Sequence, residues 1–180
     1  MHDAKKECGT NEDCEPDRCV YLRTGSHNLI VGPYHTYTSH VGFVAGFGNT
    51  VSGPWSSVSA GIWNTASGES TSVSGGEYNT ASAWGTSVSG GDTNTASGLA
   101  ASVSGGDGNT ASAYFASVSG GSYNTAEGDY AASVSGGRHN VACGKYSVVL
   151  GGNGNKTSDE DDIAPCFAAC APSPPEGNAR

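Results

Sequence analysis

The polar and apolar positions in the central part of the chain follow one short pattern that is repeated many times. Each copy reads Ser-Val-Ser-Gly-Gly, two variable residues, Asn-Thr-Ala-Ser and a variable turn, most regularly over residues 57–137. The step between copies is fifteen residues and once sixteen, as six valines show: Val58, Val73, Val88, Val103, Val118 and Val134. A fixed period this short is typical of a linear stack of similar units, not of a globular domain with one central core.

Each repeat contains two short runs that favour β-strands, separated by two turns. Ser-Val-Ser and Asn-Thr-Ala-Ser both alternate with period two, and turn-forming residues follow each of them. Fifteen residues are too few for a strand, a crossover helix and a second strand, which together need about thirty or more. The sequence therefore predicts an all-β fold, a parallel β-solenoid whose 15-residue coils stack about 4.8 Å apart.

The two ends of the chain differ from this array. A bulkier, degenerate form of the repeat extends back to residue 26, and the pattern fades after residue 152. We predict a polar, Cys-rich segment over 1–25, the solenoid over 26–156, and an irregular acidic tail with Pro and Cys over 157–180. Atypical terminal repeats are expected because an open end exposes unpaired strand edges.

Strand alternation predicts which side chains line the interior. With the valines inward, Gly75 and its equivalents also point inward, and the register of the repeat adds Asn79 and Ala81. Stacked identical asparagines are expected to form a hydrogen-bonded ladder, as they do in cross-β assemblies. The predicted ladder consists of Asn64, Asn79, Asn94, Asn109 and Asn124.

The outward side chains of the second strand form the first candidate binding surface. A column of threonines runs beside a column of serines, two residues or about 6.6 Å away. The residues are Thr65, Thr80, Thr95, Thr110 and Thr125, with Ser67, Ser82, Ser97 and Ser112. Such a grid resembles the flat faces of ice-binding solenoids. The favoured interpretation is a solvated sheet or a contact between chains.

Aromatic residues at the variable turn positions form a second candidate surface. They are Trp55, Trp63, Tyr78, Trp84, Tyr114, Tyr123, Tyr130 and Tyr146. Exposed rings of this kind can bind sugars or protein by stacking and apolar contact. Packing over neighbouring turns is the favoured interpretation of these rings.

Composition and charge limit the classes of partner. The net charge is −9, and no Lys or Arg occurs between Arg23 and Arg138, which argues against nucleic acids and anionic membrane surfaces because both require a basic footprint. No run approaches the roughly eighteen to twenty apolar residues of a membrane-spanning helix, so we expect no membrane insertion by this chain. No apolar segment characteristic of a signal peptide follows Met1.

The cysteines lie mainly at the ends of the chain. Five are terminal, namely Cys8, Cys14, Cys19, Cys166 and Cys170, and Cys143 lies in a late repeat. Their spacing lacks the paired C-x-x-C of zinc sites, which favours disulfides or free thiols over a metal site. Disulfides would indicate an extracellular protein, and their pairing is left open by the sequence.

The sequence carries no recognisable catalytic or cofactor-binding signature. Ser59 is followed by Ala60 and Gly61 and recurs in every copy, unlike a catalytic serine in a nucleophile elbow, and the Gly-Gly pairs never open a helix. Asp92 and Asp107 are sporadic, unlike the regular aspartates of a calcium-binding roll. The segment 155–157 is a glycosylation sequon. We therefore predict no enzyme activity, no cofactor and no metal.

The repeat resembles the head repeat of trimeric autotransporter adhesins of the YadA type, whose pattern is Ser-Val-Ala-Ile-Gly-x-x-Ala-x-Ala-x-Gly. In the copy over 57–68, Gly61, Ala66 and Gly68 fall on conserved small positions of that pattern, and Gly75 in the next copy replaces its Ile. The likeness covers roughly residues 26–155. It implies a left-handed parallel β-roll, three chains wide, used for attachment on extracellular spikes and fibres to a matrix, glycan or cell-surface ligand.

A comparison of energies supports an oligomer. Burying one Val per coil contributes about 1.5 to 3 kcal/mol, whereas ordering the residues of one coil costs on the order of 15 kcal/mol. Ladder hydrogen bonds and contacts between chains are expected to supply the difference, so we predict a homotrimer. The predicted function is a non-enzymatic extracellular structural or adhesive module, with an ice-binding solenoid as the alternative.

Overall fold

The computed structural model describes residues 27–164, and within that range it contains nineteen short β-strands and no helix. The predicted Cys-rich segment 1–25 lies outside the described residues, as do residues 165–180 of the tail. Five cysteines of the predicted disulfides fall outside it as well: Cys8, Cys14, Cys19, Cys166 and Cys170. No helix within 27–164 is long and apolar enough to cross a membrane.

The strands form two parallel sheets, each built from every second strand of the chain. The ten-stranded sheet contains β1 Leu29–Val31, β3 Phe43–Ala45, β5 Ser57–Val58, β7 Ser72–Val73, β9 Ser87–Val88, β11 Ser102–Val103, β13 Ser117–Val118, β15 Ser133–Val134, β17 Val148–Val149 and β19 Ile163–Ala164. The nine-stranded sheet contains β2 Thr36–Tyr37, β4 Thr50–Val51, β6 Thr65–Ala66, β8 Thr80–Ala81, β10 Thr95–Ala96, β12 Thr110–Ala111, β14 Thr125–Ala126, β16 Val141–Ala142 and β18 Lys156–Thr157. The predicted all-β parallel solenoid of about 15-residue coils is confirmed.

Like residues stack above like throughout the array. Val58 pairs with Val73 and Thr65 with Thr80, each one coil apart. The single longer step places Ser133 opposite Ser117 and Tyr130 opposite Tyr114. The extra residue of that step is Asp129, which is accommodated in a turn and leaves the strand register intact.

The interior is narrow and filled by small side chains. The ten-stranded sheet contributes the column of valines, including Val73 and Val88, and the nine-stranded sheet contributes alanines such as Ala81 and Ala96, all with at most 1% of their surface exposed. The predicted inner Val and Asn positions are all buried. Because only small residues face each other, one chain closes its own core between its two sheets.

A further inner column, which was not predicted from the sequence, immediately precedes each Ser-Val strand. It contains Ser56, Thr71, Thr86, Ala101, Ala116, Ala132 and Ser147. The hydroxyls of Thr71 and Thr86 donate to the carbonyls of Gly68 and Ala83, each at 3.0 Å. These bonds satisfy the buried hydroxyls, so Ala, Ser and Thr are interchangeable at this position.

The stack continues beyond residue 156, the predicted C-terminal limit of the solenoid. Strand β19 pairs with β17, and Asp159–Asp162 form the turn that precedes it. Thr157 and Ala164 retain the small, buried inner positions of the repeat. The inner side chains therefore remain small and buried after the Ser-Val-Ser motif is lost.

Candidate contact surfaces

A continuous asparagine ladder holds the coils in register. Asn94 shows the pattern: its Nδ2 donates to the carbonyls of Gly90 (3.0 Å) and Gly106 (2.9 Å), and its Oδ1 accepts the backbone N–H of Asn109 at 2.9 Å. The five predicted members are joined by Asn49, Asn140 and Asn155, so the ladder is longer than predicted. His35 begins it, because its Nδ1 accepts the N–H of Asn49 at 3.1 Å. Each coil is thereby locked to the next.

The nine-stranded sheet presents the predicted grid of hydroxyls, which we call the Thr–Ser face. Its threonine column is unbroken over seven coils and consists of Thr36, Thr50, Thr65, Thr80, Thr95, Thr110 and Thr125. The threonines are half-buried by their neighbours, and Ser67, Ser82, Ser97 and Ser112 beside them are exposed. Val141 and Lys156 end the threonine column, and Glu127 ends the serine column. The grid is therefore uncharged until its C-terminal end.

The ten-stranded sheet presents a second hydroxyl surface, the Ser–Ser face, which was not predicted from the sequence. Its two columns flank each inner valine and contain Ser57, Ser72, Ser87, Ser102, Ser117 and Ser133, with Ser59, Ser74, Ser89, Ser104, Ser119 and Ser135. The second column is exposed and the first is half-buried. The signal was present, because the serines on both sides of each valine must point outward when the valine points inward.

Both ends of the Ser–Ser face are apolar. Leu29 and Val31 occupy its two columns at the N-terminal end, and Leu150 and Ile163 lie on it at the C-terminal end. All four side chains are more than half exposed. Large apolar residues at outward sheet positions are unfavourable in water, so the two ends of this face are a candidate contact surface.

The first turn of each coil forms one edge of the solenoid, the first-turn edge. Glu77, Asp92 and Asp107 occupy the same bridge position in three successive coils. The same column also contains Ile62, Ser122 and Arg138, so the acids form a short patch over three coils and not a regular aspartate ladder along the array. Within residues 27–164, no three His, Cys, Asp or Glu side chains are arranged to hold a metal ion.

Aromatic rings on the first-turn edge pack against the preceding coil. The indole of Trp63 lies over Gly48 and meets the ring of Phe47 edge-on at 5.7 Å. Tyr123 lies over Gly108 and stacks with His139 at 5.3 Å. Packing over neighbouring turns, the favoured interpretation of the aromatic residues, describes this edge.

The second turn forms the opposite edge, the second-turn edge, which has a different chemistry. Its leading column contains Pro54, Glu69, Trp84, Leu99, Tyr114, Tyr130 and Lys145, and each carbonyl in it accepts an N–H from the following coil. Phe115 and Tyr146 lie beside the column and contact the ring of Tyr130 at 5.3 and 5.4 Å. Trp84 and Tyr114 remain 54% and 53% exposed. Large apolar side chains thus follow one another over four successive coils. We call this row the ridge, and it consists of Trp84, Leu99, Tyr114 and Tyr130.

An ion pair closes the C-terminal end of the second-turn edge. Lys145 Nζ lies 3.0 Å from Glu160 Oε1 and 4.8 Å from the centre of the Tyr146 ring. The hydrogen bond and charge of Glu160 raise the pKa of Lys145 above its usual value. Both groups are largely exposed, so this pair belongs to the solvated end of the ridge.

Two potentially reactive side chains, the sequon asparagine and a cysteine, donate hydrogen bonds to backbone carbonyls. Asn155 of the glycosylation sequon is the last member of the asparagine ladder, 3% exposed, and its Nδ2 donates to Gly151 O at 2.7 Å. The Cys143 thiol is free and donates to the carbonyl of Thr157 at 2.6 Å. In the folded coil, the sequon therefore presents no side-chain amide to solvent.

Comparison with known proteins adds no family to this description. The parallel solenoid of stacked coils is consistent with a β-roll repeat protein, and the likeness to YadA-type heads rests on the residue pattern. No protein family matches the chain, and no curated protein matches it either.

Proposed function

We propose that this chain is a non-enzymatic structural and attachment module of an extracellular spike or fibre. The observation that carries the proposal is the pair of flat hydroxyl faces, on which identical side chains recur in register over at least six coils. A group that recurs with the same surroundings in every coil suits contact with an extended surface. A reacting group, in contrast, is needed once and in a distinct environment.

The Ser–Ser face supports the homotrimer. Serine is small enough for neighbouring chains to approach closely, and the face carries no charge between its apolar ends. In a parallel three-fold assembly, Leu29 and Val31 of the three chains meet at one end, and Leu150 and Ile163 meet at the other. Closed cyclic symmetry of this kind buries every copy of the patch. The Thr–Ser face and both edges then remain free for attachment.

Light scattering tests the oligomer. The protein is expected to show three times the 18.0 kDa chain mass. The double variant Val31→Asp/Leu150→Asp is expected to show a single-chain mass, because it places a charge at each apolar end of the contact. Both residues are exposed within the chain, so the circular dichroism spectrum is expected to stay unchanged.

The matched control places the same charges on the other face, in Ser82→Asp/Ser112→Asp. These serines are exposed on the Thr–Ser face, and the trimer is expected to survive their replacement. A single-chain mass for the unmodified protein would refute the homotrimer, and dissociation of the control would refute the choice of face.

The unbroken threonine column favours one second candidate, an ice-binding face. Repeated hydroxyls spaced about 4.8 Å along the stack and about 6.6 Å across it present a regular two-dimensional array without charge over the six coils from Thr36 to Thr110. Such an array can match a crystalline surface, whereas a mobile or charged surface cannot.

Thermal hysteresis decides this candidate. If the Thr–Ser face binds ice, the protein depresses freezing below melting at millimolar concentration, and Thr95→Tyr removes most of the effect because a large ring interrupts the array. Ser89→Tyr, which places the same ring on the Ser–Ser face, is expected to retain it. Absence of hysteresis in the unmodified protein would eliminate the ice-binding function.

A further inference from the structure

The ridge on the second-turn edge is not required by the fold. Trp84, Leu99 and Tyr114 share their column with Pro54, Glu69 and Lys145, and the backbone makes the same bond to the next coil at every member. Gly85 N–H donates to Glu69 O at 3.0 Å, and Ala100 N–H donates to Trp84 O at 2.8 Å. Equivalent positions in other coils thus provide a comparison: a charged side chain at this position is as compatible with the backbone hydrogen bond as an aromatic one.

The rings nevertheless remain in water at a cost. About half the surface of each of Trp84, Tyr114 and Phe115 is exposed, and exposed apolar side chains in a contiguous row mark an interaction surface. The opposite edge of the same coils carries Glu77, Asp92 and Asp107 instead, so the two edges are specialised differently.

The shape and surroundings of the ridge define its ligand. Large side chains follow one another coil by coil, so Trp84 and Tyr130 lie about 14 Å apart along the stack. Exposed hydroxyls of Ser82, Ser97 and Ser112 run parallel to them, two residues earlier in each coil. The turns at 83–85, 98–100 and 113–115 contain no charged residue. Over these three coils the ridge is a neutral row of large apolar side chains with hydroxyls along one side, and in the fourth coil the charged Asp129 lies beside Tyr130.

We propose that this ridge binds an extended neutral polysaccharide. The C–H faces of sugar rings are apolar and stack on aromatic rings, and their hydroxyls pair with the serines alongside. A protein partner is favoured by concave, fully desolvated pockets, whereas a projecting edge of the solenoid suits a linear polymer. An acidic polysaccharide would be repelled by a chain of net charge −9. This inference rests on the proposed attachment function and names the class of ligand.

Sedimentation with microcrystalline cellulose and chitin particles, and affinity electrophoresis in glucomannan and xyloglucan gels, test the proposal. The full chain is expected to be retained by at least one of these four neutral glycans and not by alginate, which is acidic. Tyr114→Ser is expected to weaken binding about tenfold, as loss of one stacked ring does. Trp84→Ser/Tyr114→Ser is expected to abolish it.

Tyr78→Ser is the matched control, since Tyr78 is also 53% exposed but lies on the first-turn edge. Its binding is expected to be unchanged. Retention by none of the four glycans, or equal losses in Tyr78→Ser and Tyr114→Ser, would overturn the proposal. A fall in oligomer mass on Tyr114→Ser without glycan binding would also overturn it and assign the ridge to a second copy. A trimer that binds no glycan refutes this inference alone, whereas a monomer that binds refutes the trimer alone.

Discussion

Replacing Asn94 by alanine is expected to lower the free energy of unfolding by about 2 to 4 kcal/mol. The change removes the acceptor of the Asn109 N–H, which is bonded at 2.9 Å in the interior, and the donor to Gly90 O at 3.0 Å. Gly106 O loses one of its two bonds but keeps the N–H of Asp92 at 2.9 Å. The cost arises from the orphaned buried groups and from the cavity that replaces a fully buried side chain.

Urea unfolding followed by circular dichroism measures this loss, with Thr95→Ala as the control. Thr95 is the next residue along the chain and points outward on the Thr–Ser face, so its replacement is expected to change stability by no more than about 0.5 kcal/mol. Similar losses in the two variants would show that the ladder contributes nothing beyond an ordinary side chain. Hydrogen exchange in Asn94→Ala is expected to accelerate first at Asn109, whose amide has lost its acceptor.

The interior could be predicted because every coil imposes the same demand on the same position. Val73 and Asn79 recur at a fixed step, and period-two alternation then determines their direction. Even the degenerate first coil follows this rule, since Thr36 pairs with Thr50 and His35 takes the place of an asparagine in the ladder. Because the repeat is short and of fixed length, the sequence pattern alone determines which residues pair between successive coils.

The turns could not be predicted in the same way. Trp63, Tyr78 and Phe115 have φ between +53° and +55°, a region that local preference reserves mainly for glycine. Hydrogen bonds between coils impose it, as when the N–H of Tyr78 donates to the Ile62 carbonyl at 3.1 Å. Tertiary bonding therefore overrides residue preference at the edges.

The chemistry of the surfaces depends on the same register. The acid column of Glu77, Asp92 and Asp107 and the ridge that includes Trp84 and Tyr114 are scattered along the sequence. Each becomes contiguous only when the coils are stacked. Variable positions of a repeat are therefore best compared between equivalent positions of successive coils. The fold does not restrict the residue type at these positions, so ligand binding can determine it.

The glycines of the first turn provide the most direct test of that register, because one position leaves no room for a Cβ atom and the adjacent position accepts one. Gly76 has φ of +84°, and a Cβ added to it would lie 2.1 Å from the carbonyl oxygen of Gly91 in the next coil. A Cβ on Gly75 would lie 3.6 Å from the Cβ of Ala60, an ordinary contact, and Ala60 itself occupies the equivalent position one coil earlier. Gly76→Ala is expected to destabilise the protein by about 4 kcal/mol or more, since the backbone clash can be relieved only by separating two coils.

Gly75→Ala is expected to remain within about 1 kcal/mol of the unmodified protein, because alanine also restricts the unfolded chain. Urea unfolding of the two variants isolates the effect of one methyl group moved by one residue. Because each coil contacts only its neighbours, Gly76→Ala is expected to broaden the unfolding transition by dividing the array near this coil. Equal stability of the two variants would mean that successive coils are farther apart than the close approach of Gly76 to Gly91 requires. The assignment of residues to columns on both faces and both edges would then be wrong.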